Sequence, residues 1–182
     1  MTIKIDTAIS LELLDKKHTT ATFELITTNR HHLREWLPWV DNMRSIENFE
    51  AYIRKSKKEK EEGTDFGFVI IFNNAVAGRI GLHNIDQQNK IASIGYWLGE
   101  KKKKKGIITK CCRAIIDFGF TQLNLNRIEI RCAVENFKSK AVPERLNFKQ
   151  EGILNQAEFV NNKILDLYVY ALLKEEWQHK SI

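Results

Sequence analysis

The chain has 182 residues, 43% hydrophobic and 10% aromatic, which is enough for one domain with a sizeable core and excludes an intrinsically disordered chain. Its longest apolar runs, such as FVIIF at 68–72, are too short to cross a bilayer, and MTIKIDTAIS at the start lacks the basic-then-apolar pattern of a secretory signal. The net charge of +6 is local, because the run Lys101–Lys105 carries five of those charges, whereas a general nucleic-acid binder spreads a basic face over its surface.

Taken in chain order, ISLELLD at 9–15 alternates like a strand. Residues 19–40 have helical spacing, with Phe23, Leu25, Ile26, Leu33, Trp36 and Leu37 on broad stripes and Pro38 as the expected break. Ser45 is placed to cap a second helix carrying Ile46, Phe49, Tyr52 and Ile53, and Gly63 to end it. The mixed run RKSKKEKEE at 54–62 reads as the wet face of that helix. Then DFGFVIIF and AVAGRIGLHNI predict a hairpin turning at Asn73-Asn74. QQNK at 87–90 makes another turn, and IASIGYWLG at 91–99 a further strand.

After the lysines, Ile107, Ile108, Cys111, Cys112, Ile115 and Phe118 give a helix from about residue 107 to 122 its buried face. RIEIRCAV at 127–134 alternates as a strand. A short helix follows, with Asn136 as its cap and Asn147 in the left-handed position after it. QEGILNQAEF, VNN and KILDLYVYALL close the chain as strand, turn and strand. The expectation is one mixed α/β domain over residues 1–182. Its sheet is antiparallel early and late, with strand–helix–strand crossovers in the middle. Three cysteines, two of them adjacent, argue against a disulfide framework and for a reducing compartment, the cytoplasm. No Cys/His spacing resembles a metal site.

The lysine loop ends a strand and opens a helix. The first four N–H groups of a helix have no internal partner and together carry about half a positive charge. Lysines beside them are unfavourable unless an anion lies between. Gly106, with no Cβ, permits close approach of a ligand. Two readings stand: a solvated basic loop, or one wall of an anion site. No P-loop or dinucleotide fingerprint is present.

IGYWLGE at 94–100, GIITKCCRAIIDFGF, NRIEIRCAVENFKSKAVPERLNFKQEGILNQAEF and DLYVYALLKEEW together resemble the GNAT acetyltransferases, in particular the RimJ/RimL type that acetylates protein N-termini, ribosomal proteins among them. The resemblance implies a single, mostly antiparallel sheet of about seven strands with splayed central strands, flanked by helices. It also implies acetyl-CoA as co-substrate, with no metal. The family's Gln/Arg-x-x-Gly-x-Gly/Ala loop maps onto Lys103, Gly106 and Ile108, with the backbone of Lys104, Lys105, Gly106, Ile107, Ile108 and Thr109 on the pyrophosphate. Lys103-Lys104 departs from the Gln-Gly usual in this branch. A lysine still bonds phosphate as a point charge. Tyr96, Trp97 and Leu98 are implied to lie along the pantetheine arm by their backbone; core packing is the other reading of their side chains. Asn136 caps its helix in either reading and, by resemblance, touches the cofactor.

Ser139, three residues after Asn136, matches the family's proton donor to the CoA sulfur, and Glu158 matches the base that acts directly or through water. Without the family, Ser139 is a first-turn serine and Glu158 an exposed strand carboxylate near a turn. Cys111 and Cys112 read as core, and Cys132 has no paired histidine for an acyl-cysteine route. His32, Trp36 and Trp39 lie where GNAT folds shape the acceptor groove; ordinary packing is the other reading.

The preferred expectation is direct transfer of acetyl to a protein N-terminal α-amine. One rival is the same chemistry on a small amine: a polyamine, an aminoglycoside or a peptide antibiotic. Another is a basic binding module or a CoA-binding regulator without turnover. No membrane and no specific nucleic acid is expected as a partner, and the resemblance allows a homodimer.

Overall fold

The computed structural model describes residues 1–103 and 105–178. The strands are β1 (Thr2–Lys4), β2 (Ile9–Leu13), β3 (Phe66–Phe72), β4 (Ala75–Asp86), β5 (Ile91–Leu98), β6 (Arg127–Ala133), β7 (Lys149–Val160) and β8 (Lys163–Leu173). The helices are α1 (Thr19–Thr28), α2 (Arg30–Leu33), α3 (Ile46–Glu61), α4 (Ile107–Thr121), α5 (Phe137–Arg145) and α6 (Lys174–Gln178). No helix among the described residues is long and apolar enough to cross a membrane.

The eight strands form one sheet in the order β1-β2-β3-β4-β5-β6-β8-β7, and every pairing is antiparallel except β5 with β6. The extra strand relative to expectation is β1. It is three residues long, too short for alternation to reveal, and it exists because it pairs with β2. The long first helix expected over 19–40 is also corrected. It breaks at Asn29 into α1 and the four-residue α2, well before Pro38. The Asn29 amide group donates to the Leu25 carbonyl at 2.8 Å and its oxygen accepts the Glu100 N–H at 2.8 Å. The break therefore anchors the start of the lysine loop.

Other boundaries follow local chemistry. Ser45 sits extended before α3, its N–H donating to Asn48 Oδ1 at 3.1 Å, and Gly63 takes φ +73° just past the helix end. Asn73 and Asn74 both have positive φ, the two-residue turn that matches strand twist. Asn161 and Asn162 repeat that device between β7 and β8.

Two cores cover the sheet. On one face Ile80, Leu82, Ile94, Ile128, Ile130 and Leu172 pack against Ile107, Cys111, Ile115 and Ile116 of α4. On the other, Val69 and Trp97 pack against Ile26 of α1, Phe49 and Ile53 of α3, and Leu33 and Val40. The period of two along β5 places Trp97 in the second core and its neighbours Tyr96 and Leu98 against the first. Cys111, Cys112 and Cys132 are all buried, and burial raises the thiols of Cys111 and Cys132 to about 12 and about 11. None is poised as a nucleophile.

Candidate active site

The site begins where the sheet divides. β5 and β6 pair only through Ile91↔Arg127, Ala92↔Ile128 and Ser93↔Glu129. Beyond Ser93 the strands separate. β6 stays with β8 over its whole length, from Arg127↔Leu173 to Ala133↔Leu167, while β5 stays with β4 as far as Leu98↔Gly78. The Gly99 N–H donates to the Ala77 carbonyl at 2.9 Å. Bond direction alternates along a strand, so residues 94, 96 and 98 aim their backbone polar groups away from β4, into the notch. Such groups require a partner. An extended amide-bearing chain supplies one by adding itself as a strand.

The mouth of α4 closes one end of the notch. Gly106, at the N-cap, has φ +68°, and no side-chain oxygen caps the first turn, which carries no acidic residue. Among the described residues, a Cβ placed on Gly106 meets nothing within 4 Å beyond its chain neighbours, which leaves open space in front of it. Positive charge collects around this mouth. Lys103 Nζ lies 3.2 Å from His32 Nδ1. Burial lowers the pKa of both groups; the charge of Lys103 lowers His32 further, Lys138 in the first turn of α5 lowers both, and Glu100 and Glu35 partly oppose this. An anion among them would offset the like-charge part of both shifts. Free helix-end amides, a left-handed glycine with open space and two lysines on different elements fit a diphosphate. Lys104 lies outside the described residues. Lys105 and Lys102 instead extend over the Phe72 ring, at 5.2 and 5.6 Å. Lys138 was not expected from the sequence; in a run such as NFKSKAVPER nothing separates it from any other wet lysine.

This geometry gives a first expected result. Gly106→Ala forces a Cβ into the left-handed region at a cost of about 1–2 kcal/mol. It also fills the approach to the amides. The dissociation constant for acetyl-CoA, measured by calorimetry, should rise about tenfold, with Tm lower by a few degrees. Unchanged affinity would separate Gly106 from the ligand, since no described residue blocks the new methyl group.

Across the notch, Tyr96 on β5 meets Ser139 on α5. Asn136 caps α5, its Oδ1 accepting the Ser139 N–H at 3.1 Å. Pro143 lies four residues after Ser139 and has no N–H, so the Ser139 carbonyl has no partner inside the helix. The Tyr96 hydroxyl donates to that carbonyl at 3.1 Å and lies 3.1 Å from Ser139 Oγ. Burial pushes the Tyr96 phenol well above its ordinary pKa, so it stays protonated. The sequence marks Tyr96 for its backbone; its hydroxyl is the group missed. Pro143 four residues after Ser139 was the available signal, since a freed carbonyl must be satisfied.

Glu158 follows a bulge in β7, where Leu154 opposes Leu167 and Glu158 opposes Leu165, with Gln156 at φ +51° between them. The Gln156 N–H donates to Asp166 Oδ1 at 2.7 Å, which fixes the bulge. Glu158 is partly buried, and desolvation alone raises its carboxyl pKa. Of the aromatic residues expected at the acceptor side, Trp36 is partly exposed in the turn after α2. Trp39 packs on Trp97, ring centroids 6.0 Å apart, and belongs to the second core. His32 turns toward the lysine loop.

A split sheet with an uncapped helix mouth at the end of its gap and a hydroxyl bridge on one wall fits an enzyme that uses an acyl-CoA to acylate an amine. Residues 9–149 match the family model described as the acetyltransferase (GNAT) domain. The chain is 38% identical over 178 residues to the putative ribosomal N-acetyltransferase YdaF of Bacillus subtilis (strain 168), covering 97% of each. It is 32% identical over 170 residues to the ribosomal-protein-serine acetyltransferase of Escherichia coli (strain K12), covering 93% of this chain and 95% of that one. The solved structure of RimL, the ribosomal L7/L12 alpha-N-protein acetyltransferase in complex with coenzyme A, superposes with a TM-score of 0.93 at 28% identity over 97% of this chain and 99% of that one. The chain belongs to the GNAT acetyltransferase family and is an acetyl-CoA-dependent N-acetyltransferase of the ribosomal-protein acetyltransferase type.

Proposed function

We propose that the acceptor is the α-amine at the N-terminus of a protein, such as a ribosomal protein, and that acetyl passes to it by direct attack. The reading is supported by similarity over nearly the whole chain to relatives named as ribosomal-protein acetyltransferases, and by Glu158, a partly buried carboxylate set beside the β7 bulge whose pKa burial raises. The amine must be neutral to attack. Near pH 7 about a tenth of α-amines, with a pKa of about 7.7–8.0, are neutral; a lysine, at about 10.4, is neutral less than one time in a thousand. One modest carboxylate base is sufficient for the first and a poor match for the second.

In this reading the free backbone groups of residues 94, 96 and 98 hold the pantetheine arm. The amides of Ile107, Ile108 and Thr109, together with Lys103 and Lys138, hold the diphosphate. Glu158 accepts the proton lost by the amine, directly or through one water. Nitrogen attacks the thioester carbon, the carbon–sulfur bond breaks, and Ser139 Oγ–H supplies the proton to sulfur. Tyr96 holds Ser139 in place, and Trp36 lines the acceptor side.

Calorimetry with acetyl-CoA followed by thiol release over a panel of amines tests the reading. A peptide bearing a free α-amine should exceed spermidine and an aminoglycoside in kcat/KM by about tenfold or more, given the difference in neutral fraction. A polyamine or aminoglycoside that outruns every peptide would overturn it, and binding of acetyl-CoA without thiol release to any amine would point to a regulator.

A further inference from the structure

A second cleft, of about 540 Å³, opens beside the acceptor side and is lined by Phe23, Thr27, Arg30, Arg34, Asp41 and Arg44. It is an open groove on the surface, so its charge matters more than its volume. Three guanidinium groups and one carboxylate line it, and only Arg34 bonds that carboxylate. Arg34 spends Nε and Nη2 on Asp41, at 3.1 and 2.8 Å. Arg30 gives both Nη groups to the carbonyls of Val40 and Met43. Arg44 gives Nε to the Asp41 carbonyl at 3.0 Å. The lining thus carries an excess of two positive charges among the described residues. The surplus of positive charge attracts an anion.

The cleft is joined to the catalytic region. Arg34 Nη2 donates to Asn161 Oδ1 at 3.2 Å, and Asn161 Nδ2 donates back to the Arg34 carbonyl. Asn161 begins the β7–β8 turn, three residues beyond Glu158, which is about 10 Å along a strand. An extended acceptor advances about 3.3–3.6 Å per residue. An acceptor running from Glu158 toward Asn161 would bring its third to fifth residues to the rim of this cleft.

We infer that this arginine cleft selects acceptors with an Asp or Glu at roughly the third to fifth position after the α-amine, their carboxylates being received by Arg44 and the free donors of Arg34. The inference rests on the α-amine reading above and narrows it to acidic protein N-termini.

The test is steady-state kinetics on three peptides alike except at positions three to five, which are Glu, Gln or Lys. The Glu peptide should exceed the Gln peptide about tenfold in kcat/KM at low salt, the value of one good charge-assisted contact, with the Lys peptide weakest. The Glu/Gln ratio should shrink toward one as ionic strength rises. Arg44→Gln should lower that ratio several-fold through KM. Asp41→Asn, which adds net positive charge to the cleft, should raise it. Thermal denaturation confirms that each variant is folded, and the wild-type salt series stands without any variant. Equal kcat/KM for the Glu and Gln peptides overturns this inference and leaves the α-amine reading intact. A wild-type ratio that Arg44→Gln does not change removes the cleft as its source. If no peptide is acetylated while small amines are, the α-amine reading fails and this inference fails with it.

Discussion

Glu158→Gln should lower kcat/KM for a peptide α-amine by about 100-fold or more, the usual contribution of a positioned base. The affinity for acetyl-CoA is the internal comparison, because Glu158 lies on β7 and the diphosphate cradle at the mouth of α4. The pH profile carries the sign. Desolvation favours the neutral acid and raises the pKa of this carboxyl, yet the base must be ionised to accept a proton. The wild-type acid limb should therefore lie above the ordinary carboxylate range and disappear in the variant, leaving the ionisation of the acceptor amine. Stability should move the other way. A carboxyl whose folded pKa is raised favours the native state below its unfolded pKa, and that contribution is lost as pH rises through the folded value. At neutral pH the charge is a burden that glutamine relieves, so Tm should rise slightly as activity falls. A variant with wild-type kcat/KM, or one that keeps the acid limb, removes Glu158 from the chemistry.

The contrast between Glu158 and Tyr96 marks what the sequence could carry. Periodic signals survive translation into structure because burial enforces them. Ile107, Cys111 and Ile115 line the core where their spacing put them, and Asn73-Asn74, Asn136 and Asn147 take the turn and cap positions their side chains favour. Long-range partners are not periodic. β1 is visible only through its pairing with β2, and the break at Asn29 only through its bond to Glu100 across the fold. The divergence of β5 from β6 is a property of two strands and leaves no mark on either alone; only the family resemblance announced it. Ser139 and Glu158 were named through that resemblance. Pro143 signals that the Ser139 carbonyl needs a donor but not that Tyr96 supplies it; Lys138 and the arginines beside α1 depend on convergence of distant segments, and no local pattern distinguishes them from ordinary surface residues.

Ser139→Ala should lower kcat by about tenfold, less than loss of the base, because a thiol with a pKa near 8.5 leaves tolerably without a proton. The deficit should shrink with an acetyl donor whose leaving thiol is more acidic, a signature that a folding defect does not produce. Tyr96→Phe keeps the ring in the core and deletes only the hydroxyl. The Ser139 carbonyl, deprived of its helical partner by Pro143, then has no donor, at a cost of about 1–3 kcal/mol in stability. Ser139 Oγ also loses its neighbour at 3.1 Å, so kcat should fall in this variant too. If the two hydroxyls act as one unit, the double variant should be little worse in kcat than Ser139→Ala alone, whereas independent roles make the losses multiply. Pro143→Ala separates the two effects of Tyr96. It restores an N–H for the Ser139 carbonyl, so in the Tyr96→Phe background it should recover stability while kcat stays low. Recovery of both would make Tyr96 a structural prop and leave the serine to orient itself; full kcat in Tyr96→Phe from the outset would dissolve the bridge as a functional device.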